Sequence, residues 1–328
     1  EINNFLEKKN FLTNIKKNII FEDQKIDISY NKSKIEINGS GKIFIQDNPD
    51  IISYKVVNKK DNYFFDLELN IIDNPVVVDL INFEKKKQTS LNFKTKGVLK
   101  KNNWEFDEII LLENENILSI KNLKLTNDYR IEDIENIKFY FEDKSNQKND
   151  LELIKNSSNY SIIGNSFNAD KLITELLSSK KDSKRKVFSK NFDLKIDIKK
   201  VYLDKKNSIN NLQGKISFIK NKVVKLNLEA LFSKKKKITM TIKENNDEKI
   251  TTLFSGEAEP IVRKYKFIKG FSDGKLDFYS IKKNNETKGT LKIYDFKLNE
   301  LPALTKVLTL ASLQGIADLL SGEGIRFN

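Results

Sequence analysis

Strict alternation of apolar and polar residues is the feature that most constrains this chain. The clearest run is residues 192–199 (FDLKIDIK), in which every second side chain is apolar. Because successive side chains of a β-strand point to opposite faces, this run predicts a strand with one buried and one solvated face. A chain built from such strands forms sheets whose apolar faces must be covered.

The same two-residue period recurs along the chain and is interrupted by segments rich in Asn and Gly. These segments follow one another at intervals of roughly ten residues, which is typical of an antiparallel meander, sandwich or barrel. A parallel crossover needs a helix between its strands, and helical patterns are few, so we expect mostly local hairpins. Further strands are predicted over 25–30, 34–38, 65–71, 117–125, 224–231, 238–242 and 290–298, and turns over 38–41, 60–62, 102–103, 245–247 and 284–285.

Two segments have helical periodicity. The first covers 170–179, where apolar residues recur at helical spacing after a candidate N-cap at Asn168 or Asp170. The second begins near Pro302, a residue favoured in the first turn, and extends to Leu320. A third, short helical turn is predicted over 260–266.

Composition argues against several classes of function. The chain has no His and no Cys, which removes the commonest general base and the usual zinc and disulfide chemistry. Its net charge of +13 comes mainly from Lys residues interleaved with apolar ones, as on the solvated face of a strand, so we expect no nucleic-acid partner. We therefore predict a non-enzymatic protein with no catalytic, cofactor or metal site.

The functional hypotheses differ in what covers the apolar faces of the sheets. The helices are too few to cover so many strands, so the covering is another sheet, closure into a barrel, or a ligand. A long sheet curled into a trough would hold lipid acyl chains, since burial is worth about 0.8 kcal/mol per methylene. A self-packed sandwich or barrel satisfies the same periodicity and stays open as the alternative.

Five segments together resemble one family of envelope proteins. They are residues 256–260 (GEAEP), 267–276 (FIKGFSDGKL), 289–296 (GTLKIYDF), the long apolar stretch 301–327, and 166–172 (SFNADKL). In order and spacing, the segments after residue 250 resemble the AsmA-like C-terminal domain. The segment 166–172 is similar to the entry that precedes a helix in that family.

The resemblance implies a large bacterial protein that carries phospholipid through the periplasm. Such a protein is anchored in the inner membrane by an N-terminal helix, contacts the outer membrane and serves outer-membrane biogenesis. This sequence begins at Glu1 and contains no such helix, so we interpret it as a fragment. On this interpretation residues 1–165 form a β-meander, 166–250 a helix with continuing strands, and 251–328 the start of the AsmA-like region.

The combined prediction is a mainly-β protein, with an elongated, mostly antiparallel meandering sheet curled into a trough and two or three short helices. No cofactor is expected, and the expected partner is phospholipid. The alternative is a ligand-free, β-rich envelope scaffold or outer-membrane biogenesis factor with a self-packed sandwich or barrel core. The side chains predicted to line the lipid groove are Phe192, Leu194, Ile196, Ile198, Leu226, Leu228, Ile238, Met240, Ile242, Leu276 and Phe278.

Overall fold

The computed structural model describes residues 18–86, 88–101, 103–177, 187–232, 235–245, 248–265, 270–283, 286–298 and 325–327. Strands dominate these residues, so the predicted mainly-β class with short helices is confirmed. The chain divides into two compact units, the first comprising residues 1–206 and 219–222 and the second 207–218 and 223–328. The segmentation predicted at residues 166 and 251 stays a prediction.

The first unit is built on one long sheet. Along it the strands follow the order β1-β2-β3-β4-β7-β8-β9-β11-β12-β13-β14, and β10 also pairs with β9. The strands are β1 (Ile20–Asn31), β2 (Lys34–Phe44), β3 (Asp50–Lys59), β4 (Asn62–Ile71), β5 (Val77–Val78), β6 (Phe83–Glu84), β7 (Leu91–Lys100), β8 (Asn103–Glu113), β9 (Asn116–Thr126), β10 (Ile131–Asp133), β11 (Asn136–Glu142), β12 (Lys148–Asn156), β13 (Asn159–Asn168) and β14 (Phe192–Tyr202).

All but one of these pairings are antiparallel, as the short spacing predicted. The exception is β13 with β14, which run parallel, and the chain between them contains helix α1 (Asp170–Leu177). The Asn168 side chain accepts a hydrogen bond from the backbone N–H of Asp170 at 3.1 Å, so Asn168 caps this helix as predicted. A helix in the connection is what a parallel crossover requires.

The turn predicted over residues 38–41 is wrong, because both glycines lie inside β2. A Cβ atom on Gly39 would come 2.2 Å from Cζ of Tyr54, so the glycine leaves room for a tyrosine ring on the neighbouring strand. Gly41 lies against Asp23 and Gln24, where β1 bulges, and a Cβ there would also clash. Glycine here marks close approach within the sheet.

The second unit is a further antiparallel meander in the order β16-β17-β18-β19-β20-β21, with a short helix, α2 (Glu259–Tyr265), before β19. Helix α2 lies where the third helical turn was predicted, whereas the helix predicted from Pro302 lies outside the described residues. The strands are β15 (Ser208–Ile219), β16 (Lys222–Phe232), β17 (Lys237–Asn245), β18 (Glu248–Ser255), β19 (Phe271–Lys283), β20 (Glu286–Leu298) and β21 (Ile325–Phe327).

Candidate functional site: the apolar faces of the sheets

The pairing register of the first unit gathers its apolar residues on one face. Residues directly opposite each other in neighbouring strands share a face, so a row of partners can be followed across the sheet. One such row crosses nine strands, and we call it the open row. It consists of Tyr54, Leu67, Thr95, Ile109, Ile120, Ile137, Leu153, Ile162 and Ile196.

A second row of the same face lies at the end of the strands, and we call it the covered row. Its members are almost completely inaccessible to solvent, and Leu91 has 0% of its surface exposed. Several are apolar, and Asn149 and Glu113 are polar. The row consists of Ile71, Leu91, Glu113, Phe141, Asn149, Phe167 and Val201.

The segment between β4 and β7 covers this second row. It contains a short 3₁₀ helix (Asp79–Ile81) and β6, and its Phe83 ring packs edge-to-face on Phe141 with 5.3 Å between ring centroids. Phe83 and Phe141 are each 1% exposed. The backbone N–H of Lys144 also donates to the carbonyl oxygen of Asn82 at 3.4 Å, which joins the segment to the turn after β11.

Buried polar groups hold the covering in place. The Glu113 carboxylate accepts hydrogen bonds from the backbone N–H of Lys86 at 2.6 Å and from the hydroxyl of Thr89. The buried ammonium of Lys85 donates to the carbonyl oxygens of Ile72 at 2.7 Å and Thr89 at 2.8 Å. Because buried polar groups are costly when unpaired, these bonds favour one position of the segment.

A second network joins the turn after β11 to the end of β13. Oδ2 of Asp143 accepts hydrogen bonds from the side-chain amides of Asn168 at 2.6 Å and Asn149 at 3.4 Å. The side-chain oxygen of Asn149 accepts the backbone N–H of Asn168 at 2.8 Å. In the same border, burial raises the pKa of Asp50, whose Oδ2 accepts one hydrogen bond from Asn74 at 2.9 Å.

The open row is much less protected than the covered row. Seven of its nine side chains are half-buried, and only Thr95 and Ile196 are buried. In the described part of the first unit the strands form one long sheet and the short β5–β6 pair, so no second long sheet is present there to pack on the open row. A self-packed sandwich core would bury such a row on both sides. The open row is therefore an apolar strip that the described protein leaves accessible.

An aromatic cluster continues the apolar face beyond the open row. Phe65 lies opposite Gly97, which lies opposite Phe106, and Trp104 stacks on Phe106 with 6.1 Å between centroids. A Cβ on Gly97 would approach Cζ of Phe65 to 3.0 Å and the carbonyl oxygen of Glu105 to 2.2 Å. The glycine thus lets the Phe65 ring lie over the strand.

Charged groups border the apolar face beside β10. Lys155 and Tyr160 are cross-strand partners, and both contact the Asp133 carboxylate, at 2.6 Å from the Lys155 ammonium and 3.3 Å from the Tyr160 hydroxyl. Burial acts to raise the pKa of Asp133, but the Lys155 ammonium outweighs it and holds that pKa below its ordinary value. Burial and the Asp133 charge raise the pKa of Tyr160.

The opposite face of the sheet is mainly polar, although it also carries exposed apolar side chains such as Phe64 and Ile163. On β1 to β4 it carries charges of both signs, including Glu36, whose pKa the ammonium groups of Lys34 and Lys55 lower to about 2. A depression of about 410 Å³ lies on this face and is lined mainly by polar and charged side chains such as Asp27 and Glu68. The first unit is therefore two-sided, with an apolar and a charged face.

The second unit also has one apolar face. Leu228 pairs with Met240, Met240 with Leu253, and Leu253 with Phe278, so four strands contribute to one row. Helix α2 covers the end of this face and forms a small core. That core consists of Ala258, Val262, Phe271, Leu276 and Leu298.

The eleven side chains predicted to line a groove lie on these two faces. Four lie on β14 in the first unit, where the register places Leu194, Ile196 and Ile198 on the apolar face. The other seven lie on the apolar face of the second unit. Buried members are Ile196, Ile198, Leu226, Ile242 and Leu276, and half-buried members are Phe192, Leu194, Leu228, Ile238, Met240 and Phe278.

Of the open row, only Ile196 was among the side chains predicted to line a groove. Residues such as Ile109 and Ile137 were not among the predicted lining residues, although Leu67 and Ile120 lie in predicted strands. The missing information was the register, which shows that strands far apart in sequence place their apolar residues in one row.

A further depression of about 410 Å³ lies in the second unit and is lined by residues such as Phe254, Tyr279 and Thr290. None of the acidic side chains of the described residues cluster in threes in a way that could hold a metal ion. No helix in the described part of the chain has the length and apolarity needed to cross a membrane. No protein-family model, curated protein or solved structure matches this chain.

Proposed function

We propose that this chain is a non-enzymatic lipid-binding protein whose apolar sheet faces shield acyl chains from water. The observation that carries the proposal is the open row, a mainly apolar strip across nine strands of which the described protein leaves seven side chains only half-buried. Contiguous apolar surface that stays accessible to solvent marks an interaction site. An acyl chain is a long, unbranched apolar ligand that suits a strip without convergent polar groups.

The energetics favour a chain-like ligand over a compact one. Each methylene transferred from water to the strip contributes about 0.8 kcal/mol, so a long acyl chain gains affinity along its length. The charged border at Asp133, Lys155 and Tyr160 and the polar opposite face keep headgroups in water. These features support a lipid with a charged or zwitterionic headgroup.

The resemblance to the AsmA-like family extends the proposal to phospholipid and to the bacterial envelope. In that setting the chain is part of a periplasmic protein that is attached to the inner membrane and carries phospholipid toward the outer membrane. This part of the proposal rests on the sequence segments alone, since no family model matches.

Ile109 and Ile110 provide a matched test of the proposal. They are consecutive, identical and both half-buried, but Ile109 lies in the open row and Ile110 on the opposite face. On β12, Leu153 and Ile154 are also consecutive and half-buried, and they lie on the open-row face and the opposite face respectively. We expect the double variant Ile109→Asp/Leu153→Asp to lose bound lipid and Ile110→Asp/Ile154→Asp to keep it, because only the first places charges on the strip.

The measurement is the molar ratio of lipid to protein, by mass spectrometry of purified samples and by transfer of a fluorescent phospholipid. Circular dichroism checks that each variant remains folded. Equal loss from both variants, or no lipid above the level of a control protein, would support the ligand-free scaffold instead. Loading with free fatty acid but not with phospholipid would retain acyl-chain binding and reject the phospholipid assignment.

A further inference from the structure

The edge strand β1 exposes its apolar side chains far more than the rest of the face. Tyr30 is 75% exposed and Ile28 68%, the highest values for large apolar residues in the described part of the chain. Both lie on the apolar face, where Ile28 pairs with Ile37 and Tyr30 with Ile35. Within the described residues β1 pairs only with β2, so no described strand pairs with its outer backbone edge.

Residues 25–31 of β1 are the part best suited to accept another strand. The register with β2 shifts between Glu22 and Lys25, and from Lys25 to Asn31 it is regular. This stretch of seven residues has Ile28 at its centre and apolar Ile26 and Tyr30 at equal distances on either side. The stretch is therefore symmetric in its apolar pattern.

The usual protections of an edge strand are lacking on this side. Soluble proteins block open edges with proline, bulges or charged residues that point inward. Between residues 25 and 31 there is no proline, and the charged Lys25 and Asp27 lie on the polar face rather than the apolar one. The bulge at Glu22–Lys25 ends the regular edge but leaves these seven residues open.

We propose that two copies of this chain pair through antiparallel β1 strands around a two-fold axis at Ile28. In this register Ile28 faces Ile28 of the second copy and Ile26 faces its Tyr30, while Lys25 faces Asn31 and Asp27 faces Ser29. Cross-strand apolar pairs of this kind stabilise strand pairing, and no like charges meet. A two-fold axis normal to the sheet keeps both apolar faces on one side, which joins them into a wider face.

The chain has no cysteine, so single cysteines report the register directly. Directly opposed residues in an antiparallel pair have Cα atoms about 4.5–5.5 Å apart, within the range that a disulfide spans. Ile28→Cys is therefore expected to give a covalent dimer under mild oxidation. Ile26→Cys is the control, because its two copies would be four residues apart, or about 13 Å.

Analytical ultracentrifugation of the unmodified chain and of Ile28→Lys supplies the second measurement. We expect a concentration-dependent dimer that the lysine abolishes, since a short strand pair buries less than a standard interface of about 1,600 Å². A matched Ile163→Lys variant, at an exposed isoleucine on β13, should dimerise normally. A monomer at all concentrations, or equal cross-linking at positions 26 and 28, would overturn the pairing whether or not lipid binds.

Discussion

Phe83 is the residue whose removal should most clearly uncover the border of the apolar face. Its ring is 1% exposed and packs edge-to-face on Phe141, which lies four strands along the sheet from β4. The Phe83→Ala variant leaves a cavity between the covering segment and the sheet. We expect this cavity to destabilise the first unit and not merely the covering segment.

The expected cost follows from the packing. Replacing a core phenylalanine with alanine costs about 3–5 kcal/mol, because the favourable transfer free energy of the ring is lost and an unfilled cavity remains. The edge-to-face contact accounts for about 0.5–1.5 kcal/mol beyond buried area, and it should appear as coupling in a double-mutant cycle with Phe141→Ala. Phe64→Ala is the control, since Phe64 is 44% exposed, and should change the free energy of unfolding by about 0.5 kcal/mol at most.

Urea unfolding followed by tryptophan fluorescence measures these free energies. The chain has one tryptophan, Trp104, and it lies on the apolar face of the first unit, so its emission reports that unit. If Phe83→Ala costs no more than Phe64→Ala, the segment does not seal the border. If Phe83 and Phe141 show no coupling, the ring contact does not contribute to stability.

Two further predictions concern the two faces of the same sheet. Gly97→Ala should destabilise the first unit by more than the roughly 1 kcal/mol span of strand propensity, because the new Cβ would lie 2.2 Å from the Glu105 carbonyl oxygen. Urea unfolding measures the decrease in the free energy of unfolding. Glu36 should titrate near 2 in the folded protein, because the ion pairs hold its pKa below the ordinary value of 4.5, and their stabilising effect is lost progressively as the pH falls from about 4.5 to about 2. The midpoint of its carboxyl titration, followed by NMR, should move to higher pH in high salt or in Lys55→Ala, because the ion pairs lie at the surface and are screened. An unchanged midpoint would contradict the ion pairs.

Alternation in sequence was enough to predict the class of fold and eight of the strands. Where apolar and polar residues alternate strictly, as in Phe192 to Lys199, the predicted strand, its first residue and its apolar face agree with the structure, in which the strand extends further to Tyr202. The prediction failed at Gly39 and Gly41, because glycine in a sequence indicates a turn as readily as it indicates close approach of a neighbouring side chain. At Gly39 the position of the Tyr54 ring on the neighbouring strand shows that the glycine marks close approach rather than a turn.

The candidate site was harder to predict because its strands include runs without alternation. Residues 109–112 (IILL) are all apolar, so the sequence assigns no face to any of them. The register with β7 does so, since Ile109 lies opposite Thr95 and Leu111 opposite Phe93, whereas Ile110 lies opposite Lys94. A single-residue slip would exchange the faces and place Ile110 in the open row. The Ile109 and Ile110 variants therefore test the register and the proposed lipid strip in the same experiment, because chemically identical changes differ only in the face that receives the charge.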